Sequence, residues 1–161
     1  MRHLRLLTIG PMSDFLRFIH VLGAILAVGP VAVSSSMFPP VARHALADPS
    51  DTRSIAAAEV LHRVTRVYAV ISIIVPVFGL ATGVSLGVLT QPWLLVSMPL
   101  TACAAVILTK AIIPEQQRIV RGFDEGDGRA AAANPKRLAM STGVFNLIWV
   151  AVVVLMMYRP G

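Results

Sequence analysis

One cysteine, Cys103, stands in a chain of 161 residues. A lone thiol excludes a disulfide framework and any CxxC zinc site, and it says nothing about redox compartment. Charge is scarce as well. Asp, Glu, Lys and Arg make up 14% of the residues, against about a quarter in a soluble domain. The carboxylates number 8, and Asp14 and Glu115 sit at the ends of the longest apolar runs rather than inside them. A proton relay through paired intramembrane acids therefore has no members. There is no Gly-rich phosphate loop and no serine-histidine-acid set, and His3, His20, His44 and His62 are too scattered for an HxxxH zinc pattern.

Hydrophobic residues, by contrast, make up 56% of the chain, with a mean hydropathy of +0.75. Four runs are nearly free of charge, at about 15–38, 67–89, 92–113 and 138–158. Each approaches the ~20 residues needed to cross a ~30 Å hydrocarbon layer as a helix. Backbone polar groups find no water there, so helix is the only reading of such runs. The expected fold is all-α, an integral membrane four-helix bundle forming a single domain over 1–161. The first run is full length, longer than the core of a cleavable signal, and the pair Pro39-Pro40 is expected to stop its helix. Gly10-Pro11 breaks any helix entering from "MRHLRLLTIGP", and translation from either Met1 or Met12 fits. A net charge of +6 suggests nucleic acid in a soluble protein. Here the basic residues flank membrane runs, so orientation and anionic lipid account for them, and no nucleic-acid partner is expected.

Four spans place both termini on one side with the "TQP" turn. That side holds Arg2, Arg5, Arg17 and Arg159; the other holds Arg43, Arg53, Arg63, Arg66, Lys110, Arg118, Arg121, Arg129, Lys136 and Arg137. The positive-inside rule then puts both long loops in the cytoplasm and both termini outside, an N-out, C-out arrangement. In the first loop, "SDTRSIAAAEVLHRVTR" offers Ser50 or Asp51 as a helix cap and Glu59 to pair with Arg63 four residues on. It reads as a cytoplasmic helical extension leading into span two. The other loop, "RGFDEGDGRAAAANPKR", lacks periodicity and reads as flexible.

Span two carries Gly79, Gly83 and Gly87, a double GxxxG ladder for close helix packing, within the chain or in a homodimer. Pro30, Pro76 and Pro99 interrupt spans one to three and remove the hydrogen bonds to the carbonyls of Leu26, Ser72 and Leu95. On a helix, His20 shares a face with Gly23, Ala24 and Ala27, so it points inward, toward either another helix or a flat cofactor. An ionisable group in lipid is a functional hypothesis by default, though neutral imidazole is far less costly than a charge. Arg17, one turn away on the same side, could meet an acidic porphyrin edge or snorkel to headgroups. Asn146, near the middle of span four, could bond across helices or to a ligand. His62 reads as an interfacial histidine and Lys110 as a snorkelling cation.

The stretches "FLRFIHVLGAILAVGP", "PWLLVSMPL" and "FNLIWVAVVVLMMYRPG" resemble the small bacterial membrane proteins of domain-of-unknown-function family 2269. That family is distantly similar to the membrane domain of copper-resistance D proteins and to haem-b protoporphyrinogen IX oxidase. In the oxidase a first-helix histidine and a third-helix lysine, within a W-L-H-V-K pattern, serve the haem. The resemblance puts His20 at that histidine, Leu95 at the second histidine and Ser97 at the lysine. It also puts Ala27 at a first-helix tryptophan and Pro30 at a glycine. Serine is a poor axial ligand for iron, so the resemblance implies haem b held by His20 alone or with another group, and not oxidase activity.

Three functions follow as expectations. The first is a non-enzymatic accessory or assembly subunit of a larger membrane complex. The alternative is a haem-b protein of electron transfer or porphyrin oxidation, with His20 as metal ligand and Arg17, Ser97 and Asn146 around the cofactor. The third is transport of copper or another small solute. Thioether sulfur suits Cu(I), but Met37, Met98, Met140, Met156 and Met157 do not share one depth.

Overall fold

The structure, a computed structural model, describes residues 14–125 and 134–158. Among these there is no strand. Four helices account for nearly all of them: α1 over Asp14–Ala47, α2 over Thr52–Leu86, α3 over Pro92–Phe123 and α4 over Pro135–Tyr158. Their lengths are 34, 35, 32 and 24 residues, and each is long and apolar enough to cross a membrane. At ~1.5 Å per residue the first three are about 50 Å long, well over a ~30 Å hydrocarbon layer. The surplus lies at the end carrying the two long loops, where Arg43, Arg53, Arg63, Arg118 and Arg137 are all exposed. This is called the loop end below, and the 87–91 end the turn end.

Pro39-Pro40 does not stop α1, which runs on to Ala47. Phe38, Pro39, Ala42 and Ala45 are all buried there, and packing of that face outweighs the two hydrogen bonds the prolines delete. The third helix likewise passes its expected end and continues helically to Glu125. Arg121–Glu125, read as flexible loop, is thus helical; residues 126–133 of that stretch lie outside the described residues. Prolines leave three local signatures. Pro30 follows a π-helical turn at Ala24–Val28, and Pro114 follows another at Leu108–Ile112. In each case the carbonyl four residues before the proline, on Leu26 or Lys110, lies inside the widened turn, where the pyrrolidine ring clears it. Pro76 acts differently. It interrupts α2 at Ser72–Ile73, where bonds shorten to Ile73 N–H to Val70 O at 3.2 Å and Val75 N–H to Ser72 O at 3.1 Å.

The start of α2 is capped by Asp51, whose carboxylate accepts from the backbone N–H of Arg53 and Ser54 and from the Ser54 hydroxyl. The Ser54 hydroxyl bond, then its backbone N–H, hold this carboxyl below its ordinary pKa. The cap therefore stabilises the fold at neutral pH and is lost as pH falls through the lowered value. Glu59 and Arg63 form no ion pair.

Helix α1 packs against α2 and α4, and α3 against α4. Helices α2 and α3 meet chiefly between Thr52–Ile71 and Ile113–Glu125, at the loop end. The apolar core is concentrated there: Phe38, Ala42, Ala58, Ile112, Ile119 and Leu138 are buried, with Leu61, Tyr68 and Phe123 packed against them. The core continues to mid-helix through Val31, Ala104, Leu108 and Phe145, and toward the turn end burial thins to Ala27, Val75, Thr82, Gly83, Leu94, Ser97 and Val152.

Gly87 and Gly143 make a matched test of the backbone. Gly87 ends α2 with φ 66, a left-handed conformation that costs an L-residue about 1–2 kcal/mol. Gly143 is helical, and nothing lies within 4 Å of a Cβ built there. Gly87→Ala is expected to destabilise by about 1 kcal/mol and Gly143→Ala to stabilise by up to about 1 kcal/mol in reversible micellar unfolding. Shifts of the same sign in both variants would contradict this backbone assignment.

Candidate functional site

His20 is half-buried and faces α2, as its small-residue helix face predicts. Its Nδ1 lies 2.9 Å from the carbonyl oxygen of Val75. A carbonyl only accepts, so Nδ1 is the donor, and in the neutral ring Nε2 is the nitrogen with the lone pair. The ring can reach that carbonyl because of Gly79. A Cβ on Gly79 would stand 2.8 Å from His20 Cε1 and 3.1 Å from Nδ1. The space that Gly23 and Ala27 leave on α1 is filled by α2: Val75 and Ile74 methyls lie 3.8 and 3.9 Å from a Cβ on Gly23, and Ala27 is buried.

The glycine ladder separates into three roles. Gly79 receives the imidazole. Gly83 lies under Leu89 and Leu94, 3.1 and 3.2 Å from its Cβ position, so it packs the turn against its own helix and the start of α3. Gly87 packs against nothing, with no atom within 4 Å of a Cβ, and serves as the left-handed cap. Within the described chain Gly87 therefore caps rather than packs, because the helix ends one residue before it.

The other candidates do not converge on His20. The Asn146 amide donates to Ser36 Oγ at 2.9 Å, and the Ser36 hydroxyl donates to Ala32 O at 2.6 Å. Ser36 is about 24 Å from His20 along α1, so Asn146 belongs to a different depth. Ser97 is fully buried, and its hydroxyl donates to Trp93 O on its own helix at 2.7 Å. Arg17 is exposed, 3.9 Å from Asp14, a distance that marks a loose surface pair worth little. Lys110 is exposed within the π turn of α3. Met37, Met98, Met140 and Met157 are exposed on outward faces. Among the described residues no group of three or more His, Cys, Asp or Glu side chains could hold a metal ion.

Two further polar joints tie helices together. Ser34 Oγ and Thr65 Oγ1, both buried, share a hydrogen bond of 2.8 Å, and each hydroxyl also has a carbonyl acceptor on its own helix, Val31 O or Leu61 O. Nearer the loop end, His62 Nδ1 donates to Gln116 Oε1 at 3.3 Å. Gln116 is completely buried, and its Nε2 has no partner among the described residues. Sequence reasoning passed over Gln116 as part of a charged stretch, although Ile112, Gln116 and Ile119 fall at i, i+4 and i+7, the spacing of one buried stripe. On α4, Thr142, Asn146 and Trp149 share such a stripe, and Thr142 Oγ1, Asn146 Oδ1 and Trp149 Nε1 are buried without partners among the described residues.

The close fit of ring to glycine has a measurable consequence. Gly79→Ala is expected to push the His20 ring off Val75 O and destabilise by about 1–3 kcal/mol. In a double-mutant cycle with His20→Ala, the alanine methyl no longer meets a ring, so the two effects should fall short of additive by at least ~0.5 kcal/mol. Full additivity in reversible unfolding would separate the two residues.

No curated protein and no solved structure matches the chain. A family described as "Predicted integral membrane protein (DUF2269)" matches residues 14–160, which span all four helices and include His20, Gly79, Ser97 and Asn146. With apolar membrane-length helices throughout and nearly the whole sequence matched, the chain belongs to this family of integral membrane proteins.

Proposed function

We propose that this is a small bacterial inner-membrane protein, N-out and C-out, that acts without catalysis as an accessory or assembly subunit of a larger membrane complex. The whole chain works as one four-helix bundle domain. One observation carries the reading: the candidate polar side chains lie at separate depths, and three of the interior ones are bonded to a neighbouring helix. His20 binds Val75 of α2, Asn146 binds Ser36 of α1, His62 binds Gln116 of α3, and Ser97 bonds within its own helix. Such an arrangement fixes a shape and gathers no reacting groups at one point. Outward, α1, α2 and α4 present broad apolar faces, such as Leu147, Val150, Val153 and Met157 on α4, to lipid or to a membrane partner. The test is affinity purification from bacterial membranes in a mild detergent. A protein partner in stoichiometric amount supports the reading; a monomer carrying a stoichiometric chromophore overturns it.

A second reading rests on the His20 tautomer. Ligating histidines commonly donate their other ring N–H to a backbone carbonyl, which fixes the ring and leaves the opposite nitrogen to the metal. His20 meets that condition through Val75 O, and Nε2 has no partner among the described residues. Haem b on this nitrogen would supply one-electron chemistry, with His20 as its protein ligand. Ser97, its hydroxyl held by Trp93 O, offers no second ligand. Oxidised and reduced visible spectra of the wild type beside His20→Ala separate the two readings. A Soret band lost in the variant assigns His20 to iron. Colourless protein from haem-replete cells leaves His20 as a bond between helices.

A further inference from the structure

Between the loop-end packing of α2 on α3 and the contact of Gly83 with Leu94 near the turn, a cleft opens between the two helices beyond Ile71. Its volume is about 370 Å³, and its walls come from all four helices, with Val70, Ile73 and Pro76 on one side and Thr101, Ala105 and Thr109 on the other. The break at Ser72–Ile73 lies in this wall, so the proline that shortens the hydrogen bonds of α2 also shapes the opening. The cleft is apolar in effect. Thr101 donates to Ser97 O, Thr109 to Ala105 O and Ser72 to Ala69 O, so each hydroxyl is bonded within its own helix.

At the loop end the cleft meets Arg66. Arg66 and Val70 also line a second hollow of about 450 Å³, whose other residues include His62, Arg63 and Glu59. Among the described residues neither Arg63 nor Arg66 forms an ion pair, with Glu59 or any other carboxylate. The two hollows adjoin at Arg66 and Val70, so Arg63 and Arg66, with one carboxylate, Glu59, stand at one end and apolar walls at the other. From Arg66 to Pro76 the helix rises about 15 Å, half of a ~30 Å hydrocarbon layer, or one leaflet. We propose that this cleft is a binding site for one anionic phospholipid of the loop-end leaflet, its phosphate between Arg63 and Arg66 and one acyl chain between α2 and α3. Charge complementarity selects the headgroup, and the depth selects an acyl chain. The inference stands whichever functional reading holds for His20.

Full-length protein in neutral detergent, titrated with phosphatidylglycerol or phosphatidylcholine and read by native mass spectrometry, tests the site. One phosphatidylglycerol is expected to bind more tightly than phosphatidylcholine. Removing charge in R63Q and R66Q should weaken it roughly fivefold per arginine, so about 25-fold together, and leave phosphatidylcholine unchanged. R43Q removes a cation at the same end but outside the cleft and should change neither lipid. Ala105→Phe fills the apolar part and should weaken both lipids alike. Circular dichroism of each variant confirms that the helices remain. Equal binding of the two lipids, no effect of the paired arginine change, or an equal loss in R43Q would each overturn the site. So would displacement of phosphatidylglycerol by millimolar inorganic phosphate, which would make it a free-anion site.

Discussion

Helix length against membrane thickness governs the rest of this structure. Three of the four helices exceed the hydrocarbon layer by roughly 20 Å, and the excess emerges on one side. Within lipid, apolar side chains gain nothing by leaving one hydrocarbon environment for another, so helices there rely on close fits and hydrogen bonds. In water the same side chains are driven together. Phe38, Ile112, Ile119 and Leu138 are buried toward the loop end, the same core runs through Val31, Ala104, Leu108 and Phe145 to mid-helix, and the turn end is held by fewer contacts.

The membrane part joins through polar pairs between neighbouring helices. His20 to Val75 and Ser34 to Thr65 connect α1 with α2, and Asn146 to Ser36 connects α4 with α1. Each satisfies a group that lipid would leave bare, with a net value near 0.6 kcal/mol for a typical pair in a membrane. Such pairs fix register more than they add stability. A slide of one helix past another would break a hydrogen bond and, at Gly79, drive an imidazole against backbone.

The four helices are legible in the sequence because hydropathy and length alone determine them. The inward direction of His20 is legible as well, from Gly23, Ala24 and Ala27 on its face. The identity of its partner is not: Gly79 read as an element of a ladder, and only tertiary register brings an imidazole to it. Gly87 belonged to the same pattern by spacing, yet its backbone conformation depends on where α2 ends. Pro39-Pro40 misleads for a related reason, since the local signal to stop is outweighed by a buried face visible only once α2 is in place. Gln116 is hidden by composition, because an amide beside Glu115 and Arg118 resembles any solvated turn. The spacing that betrays it becomes persuasive only when α3 is known to continue.

Both ends of the described chain, the start of α1 and the finish of α4, leave at the sparsely packed turn end. A force applied between them would pull along the helices and load that end first. The separation would advance by unzipping, one polar pair after another, with the buried residues around Phe38, Ile112 and Leu138 at the far end giving way last. Mechanical resistance in this protein therefore rises as it is pulled apart, because its strongest packing lies farthest from its termini.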